Sequence, residues 1–164
     1  MSNTNLRGEV RGIPAESNHE ELSKLRAEGY NMLVDLTCVD YLTHGKPRRF
    51  DVIYRLMRLD ASTGQDLGRV EVHCAVDAEP PVLRSAKDIW PAADWLEREV
   101  WDMFGVKFAD RPGIKRLLMY EEFAGHALRK DYPLTKRQPL IGPKSGEKAG
   151  SPSFNILKPT VTGE

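Results

Sequence analysis

The sequence predicts an α+β fold of two layers: an N-terminal helix packed on a largely antiparallel sheet, followed by a charged helix and an extended C-terminal tail. Three observations predict it. One helix-forming segment precedes three β-like runs at 31–42, 50–59 and 68–77. A second helix, of different character, follows them at about 92–104 and mixes tryptophan with acids and bases. Beyond Pro133 the chain holds Pro139, Gly142, Pro143, Gly146, Gly150, Pro152 and Pro159 and few large apolar residues, so it cannot pack a core of its own. Strands in a block and helices outside it read as α+β rather than alternating α/β.

Residues 1–16 are polar, contain Gly8, Gly12 and Pro14, and read as a short strand or an arm. In SNHEELSKLRAEGYNML, Ser17 or Asn18 can cap a helix, Glu20 and Glu21 sit in its first turn and Gly29 ends it. Leu22 and Leu25 give it a thin apolar stripe. Alternation along 31–42 places Leu33, Asp35, Thr37 and Val39 on one face and Val34, Leu36, Cys38 and Asp40 on the other. Along 50–59, Phe50, Val52, Tyr54 and Leu56 alternate with Asp51, Ile53, Arg55 and Met57. ASTGQDLG is a hairpin turn with Gly64 and Gly68 available for positive φ. In the third run Val70, Val72, Cys74 and Val76 face inward, and Arg69, Glu71 and His73 outward. AEPPV breaks the pattern. LRSAKDIWPAADW holds a short helix, the Pro91 break and the start of the charged helix, which Gly105 closes. Residues 106–120 read as a loop, then a turn of helix or a short strand. The domain spans 1–134, and 135–164 is a tail that is either disordered or laid along a partner, with Phe154, Ile156 and Leu157 as anchors in the second case.

Length and composition narrow the function. A chain of 164 residues is one domain with an appendage. Lys plus Arg equals Asp plus Glu at 24 each, which argues against a general nucleic-acid binder. No apolar run reaches the roughly 20 residues that cross a bilayer, and the N-terminus lacks the apolar region of a signal peptide. The only cysteines, Cys38 and Cys74, cannot hold a cluster or a structural zinc unaided and read as buried reduced thiols.

The informative stretch is 94–133, which holds two of the three tryptophans. At 3.6 residues per turn, Leu96, Val100, Met103 and Phe104 share the face turned to the sheet. Trp95, Arg98, Glu99 and Asp102 share the opposite side, with Glu97 on the border beside Trp101. Arg98 and Asp102 stand at i, i+4 and so should pair. Three readings compete. Glu99 and Asp102 could be an acid–base or metal-binding carboxylate pair, but no histidine lies at ligand spacing and Arg98 would neutralise them. The charges could be a solvated face. Or they form a fixed network with Arg116, Arg129, Lys130 and Asp131, within the domain or across an interface, where an arginine fork suits carboxylates and tryptophan suits the centre. His126 could be a general base or a hydrogen-bonded turn residue. The basic residues of 115–130 could hold a phosphate, but Asp110, Glu121, Glu122 and Asp131 are interleaved. No P-loop, GxGxxG or nucleophile elbow is present.

DIWPAADWLEREVWDMFGVKF followed by GHALRKDYPL resembles the C subunit of bacterial NADH–quinone oxidoreductase, respiratory complex I. That family includes the mitochondrial iron–sulfur-fraction subunit and the J subunit of chloroplasts and cyanobacteria. Glu97 to Gly105 looks like the family's ERExxDxFG signature, and the likeness is strong over 88–134. Two positions depart from the family's pattern: Arg111-Pro112 stands for His-Pro, and Ala127 replaces the proline of GHPxRKDxP. The resemblance implies a subunit of the peripheral arm on the cytoplasmic side of the cell (inner) membrane, without a redox cofactor of its own. FMN and iron–sulfur clusters would lie in partner subunits. It implies packing against the D subunit, which carries the quinone site, and near the B and I subunits. The assembly would carry electrons from NADH to quinone and translocate protons. The resemblance further implies structural and interface roles, and no catalytic, cofactor or metal role, for Trp95, Glu97, Arg98, Glu99, Asp102, Gly105, Arg116, His126, Arg129, Lys130, Asp131 and Tyr132. The alternatives are the same module in a membrane-bound nickel–iron hydrogenase or a ferredoxin- or deazaflavin-dependent dehydrogenase, and, more distantly, a stand-alone hydrolase using Glu99 and Asp102.

Overall fold

A computed structural model describes residues 8–45, 48–77 and 79–135. Strand β1 (Glu9–Pro14) leads through a short 3-10 turn at Ala15–Ser17 into α1 (Asn18–Ala27). Strands β2 (Met32–Asp40), β3 (Phe50–Leu59) and β4 (Asp66–Val76) follow. A two-residue strand β5 (Val82–Leu83) then precedes α2 (Ala93–Phe104) and the two-residue β6 (Lys107–Phe108).

The expected antiparallel meander β2–β3–β4 is present, and the sheet order is β1-β4-β3-β2. The polar arm is a strand: β1 lies parallel to β4, with Glu9 opposite Val70 and Pro14 opposite Ala75. The 106–120 segment contributes β6, which pairs in parallel with β5. The segment before Pro91 forms turns rather than a short helix.

One face of the sheet is apolar for the reason the alternation gives. Phe50, Val52, Tyr54 and Leu56 of β3 and Val70, Val72, Cys74 and Val76 of β4 are buried. Leu22 and Leu25 of α1, Trp90, and Ala93 and Val100 of α2 complete the same core. In β2 the expected faces need a correction. The register shifts between Leu33 and Asp35, so Leu33 is buried with Leu36 and Cys38 while Val34 is exposed. One inserted residue reverses the parity of everything before it.

The expected helix cap also needs correction. Neither the Ser17 nor the Asn18 side chain caps α1. Asn18 is buried; its Nδ2 donates to the Arg84 carbonyl at 2.8 Å, and its Oδ1 accepts the Arg84 N–H at 3.2 Å. It ties the start of α1 to the segment leading into α2. Cys38 and Cys74 are free and buried, and both face Val52 in register from opposite sides. Two strand spacings, roughly 9.5 Å, exceed disulfide reach. Burial pushes both thiols up to about 12. The expected tail and its anchors Phe154, Ile156 and Leu157 lie outside the described residues.

Candidate functional site

Helix α2 is the hub of an interior polar network. The helical wheel puts Asp102 on the side away from the sheet and Glu97 on the border, yet both are fully buried. The reason is that segments on both sides of α2 fold over it: Ser85, Ala86 and Arg111 meet Glu97, and residues 116–119 meet Asp102.

Glu97 accepts the Ser85 hydroxyl and the Ala86 N–H, both at 2.7 Å, and Arg111 Nη1 at 3.1 Å. Arg111 also donates to the Asp94 carboxylate and to the Asp94 carbonyl. Burial raises the Glu97 carboxyl above its usual range; its three donors oppose this without overturning it. The Arg111 that departs from the family pattern is thus the counter-ion of a buried acid.

Asp102 is held differently. Its Oδ2 accepts three successive backbone N–H groups, Leu117, Leu118 and Met119, at 2.8–2.9 Å. Its Oδ1 takes Arg116 Nη1 at 2.6 Å. Burial alone would raise this carboxyl, but the N–H groups and Arg116 outweigh it and hold it below the usual range. Arg116 continues to the carbonyls of Phe123 and Gly125 at 2.7 and 3.0 Å, and its guanidinium lies 5.6 Å from the Trp101 and Phe123 ring centres.

The GHALRKDY loop closes the C-terminal end of α2. Helix ends leave four carbonyls without partners, and here each has one. Gly105 N–H reaches Trp101 O at 2.9 Å, and Leu128 N–H reaches Met103 O at 3.0 Å. His126 Nδ1 donates to Asp102 O at 3.0 Å, and Arg129 Nε to Phe104 O at 2.7 Å. Gly105 has φ +77°, and a Cβ there would sit 2.6 Å from His126 Cδ2; only glycine lets the ring lie over the cap. Burial, with Arg129 and Arg116 nearby, lowers the His126 pKa although the Asp102 carbonyl favours the cation. Its role is that of a donor to the helix end. Ala127 in place of proline leaves this turn intact.

A second cluster ties the same loop to the sheet. Buried Asp40 accepts the N–H of Lys130 at 2.9 Å and of Leu42 at 3.0 Å, and pairs with Arg49 at 3.3 Å. Arg49 also pairs with Asp131 at 2.8 Å, and Arg129 with Glu79 at 3.2 Å. Both arginines lie over the Phe50 ring, at 4.7 and 5.1 Å.

Among the expected pairings, Asp102–Arg116 forms and Arg98–Asp102 does not. Arg98 instead donates to the carbonyls of Lys115 and Arg116 at 2.6 and 2.7 Å, and lies 5.5 Å from the Trp95 ring. Glu99 is exposed, so Glu99 and Asp102 are not an open carboxylate pair. Lys130 enters through its backbone, Asp131 pairs on the sheet side, and Tyr132 stacks on Phe123 with centroids 5.7 Å apart. The sequence does not single out Asn18, Asp40, Arg49, Ser85 or Arg111 as members of this network. Asp40 alone carries a local signal, an acid on the inward face of an apolar strand. Among the described residues, no three of His, Cys, Asp and Glu stand close enough to hold a metal ion.

In this α+β domain the buried charges Glu97, Asp102, Arg111 and Arg116 fix one helix and the loops around it. The chain belongs to the family described as the 30 Kd subunit of respiratory-chain NADH dehydrogenase, which matches residues 12–138. It is 42% identical over 131 residues to NADH-quinone oxidoreductase subunit 5 of Thermus thermophilus, covering 79% of this chain and 63% of that one. It is 40% identical over 148 residues to the NADH-quinone oxidoreductase C subunit of Citrifermentans bemidjiense, covering 85% and 84%. A solved structure of Nqo5, the trypsin-resistant fragment (1-134), superposes with a TM-score of 0.58 at 38% identity, over 63% of this chain and 80% of that one. This chain therefore spans less than two thirds of its Thermus relative. No helix among the described residues is long and apolar enough to cross a membrane.

Proposed function

We propose that this chain is a non-redox scaffold in the peripheral arm of a proton-translocating NADH:quinone oxidoreductase. The assembly passes electrons from NADH through FMN and iron–sulfur clusters, held by partner subunits, to quinone. The chain packs against the quinone-site D subunit and near the B and I subunits, on the cytoplasmic side of the membrane, with residues beyond 134 laid on those partners. The observation that carries this reading is the internal closure of the α2 charges. Glu97 and Asp102 already accept seven hydrogen bonds from their own chain, so neither is available as an acid, base or ligand. The same stretch exposes Trp95, Leu118, Tyr120, Leu128 and Leu134, apolar surface of the kind an interface covers.

The test is purification of the assembly from native membranes through an affinity tag on this chain, followed by mass spectrometry and an NADH:quinone activity assay. Flavin- and cluster-bearing partners and NADH-dependent quinone reduction are expected. Hydrogenase proteins in their place would overturn the assignment. A purified monomer that hydrolyses a substrate, losing this on Glu99→Gln while still folded, would overturn the scaffold role.

A further inference from the structure

Among the described residues, Arg98 and Lys115 stand beside each other without an acid partner. Arg98 spends Nε and Nη2 on neutral carbonyl oxygens, and among the described residues it meets no carboxylate. Lys115, exposed beside it, has none either. The other charges lining the cleft beside them are matched: Arg111 and Lys87 with Asp94, Arg111 also with Glu97, and Asp110 with Arg84. Both cations line the same cleft as Trp95, which is 60% exposed and lies against the Arg98 guanidinium. Together with Pro112, Gly113 and Ile114 they line an open cleft of about 420 Å³.

We infer that this cleft is a docking site for a segment of a neighbouring protein of the assembly that presents an Asp or Glu side chain beside an apolar one, the carboxylate between Arg98 and Lys115 and the apolar group on Trp95. The inference rests on the scaffold reading and adds a place and a chemistry to it. Charge complementarity selects the occupant. A guanidinium bound only to carbonyls keeps its full charge, and the Trp95 face strengthens whatever anion approaches by excluding water. A small anion would satisfy the cations but leave the indole uncovered, whereas tryptophan and arginine side by side are the composition of an interface centre. The lining backbone is fixed in advance, because the Arg98 bonds hold residues 115 and 116 against α2, so docking orders little further chain.

Lys115→Glu and Trp95→Ala test it without touching the interior network, and Glu99→Gln serves as an exposed control. Each variant replaces the native chain in cells, and its retention in the membrane-extracted complex is measured across a salt series. Trp95→Ala is expected to lower retention at least about tenfold, as for a central anchor. Lys115→Glu is expected to lower it several-fold, more at low salt than at high. A photo-crosslinking residue at 95 in the assembled complex is expected to capture an acid-containing segment of another protein of the complex. Wild-type retention of both variants, a crosslink to a second copy of this chain, a crosslink to a segment without an acid, or no crosslink in an intact complex would each overturn the inference. If the wild-type chain is found in no multi-protein complex, the scaffold reading itself falls, a distinguishable failure.

Discussion

Two regions of the molecule carry ladders of alternating charge, and they are built differently. On the sheet face opposite the core, Asp35, Arg55, Glu71, His73 and Asp51 run across β2, β3 and β4. Arg55 bridges Asp35 at 3.4 Å and Glu71 at 3.0 Å, and His73 bridges Glu71 at 2.9 Å and Asp51 at 2.7 Å. Every one of these bonds joins side chain to side chain, those of Arg55 exposed and those of His73 half-buried. Around α2, Glu97 and Asp102 are sealed from water, and four of their seven donors are backbone N–H groups. The first ladder is an arrangement that water can replace. The second holds its loops in place, because removing one member strands buried partners. The number of ion pairs is no guide to which matters; burial and backbone donors decide.

The largest effect that would sharpen this contrast is Asp102→Ala. It orphans three N–H groups and leaves Arg116 without a counter-ion, and should cost about 3–5 kcal/mol, read from the urea midpoint of the purified chain. A cost below about 1 kcal/mol would place Asp102 with the surface ladder and erase the distinction. The pH profile gives the same residue a signature. A carboxyl depressed on folding contributes stability that is present above its unfolded pKa and lost as pH falls through the folded one. Glu97, raised on folding, works in the opposite sense. Asp102→Asn should therefore flatten the loss of stability on acidification.

Arg111→Ala comes next, at about 3 kcal/mol. Glu97 keeps its Ser85 and Ala86 donors, which holds the effect at the lower end for a broken buried pair. Arg111→Lys should recover only part of it, since one ammonium cannot reach Asp94 and Glu97 as the guanidinium fork does. Full recovery, in thermal melts of the two variants side by side, would show that charge alone matters there. Gly105→Ala follows at about 2 kcal/mol, from the left-handed backbone and the displaced ring. Its distinguishing mark is a shifted His126 imidazole resonance in NMR; an unmoved ring would break the account of the cap.

The difference between the two regions also explains what is legible in the sequence. Strand positions, the inward valines of β4, the α2 boundaries and its Gly105 stop follow from periods of two and 3.6 and from backbone chemistry, which are local. Asp102–Arg116 is within reach because an acid on a helix near a loop arginine has few other partners. Arg98–Asp102 is the local expectation and does not form, since three backbone N–H groups arriving from residues 117–119 outbid a side chain four residues away. What Arg111, Asp40 and Asn18 bind stays hidden for the same reason. Their partners lie 14, 90 and 66 residues distant, and no helical or strand period reports such a contact. The bulge at Val34 is hidden because one extra residue leaves composition unchanged while reversing which side chains face inward.

The smallest expected effect is the most direct check on the surface ladder. His73 has a carboxylate on each ring nitrogen. Burial disfavours its cation, but Asp51 and Glu71 outweigh burial and raise its pKa. A histidine raised on folding contributes stability that is fully present below its unfolded pKa and lost as pH rises through the folded one. His73→Gln should therefore cost something at pH 6 and almost nothing at pH 9. Because Arg55 and Glu71 are open to water and salt, the cost at pH 6 should stay under about 1 kcal/mol. It should shrink further in about 0.5 M salt, where the screening length falls to roughly 4–5 Å. Urea midpoints of wild type and variant at the two pH values, with and without added salt, decide it. A cost above about 2 kcal/mol that ignores salt belongs to a buried pair. It would mean that this face is covered as the α2 network is, and that the two ladders differ in location and not in kind.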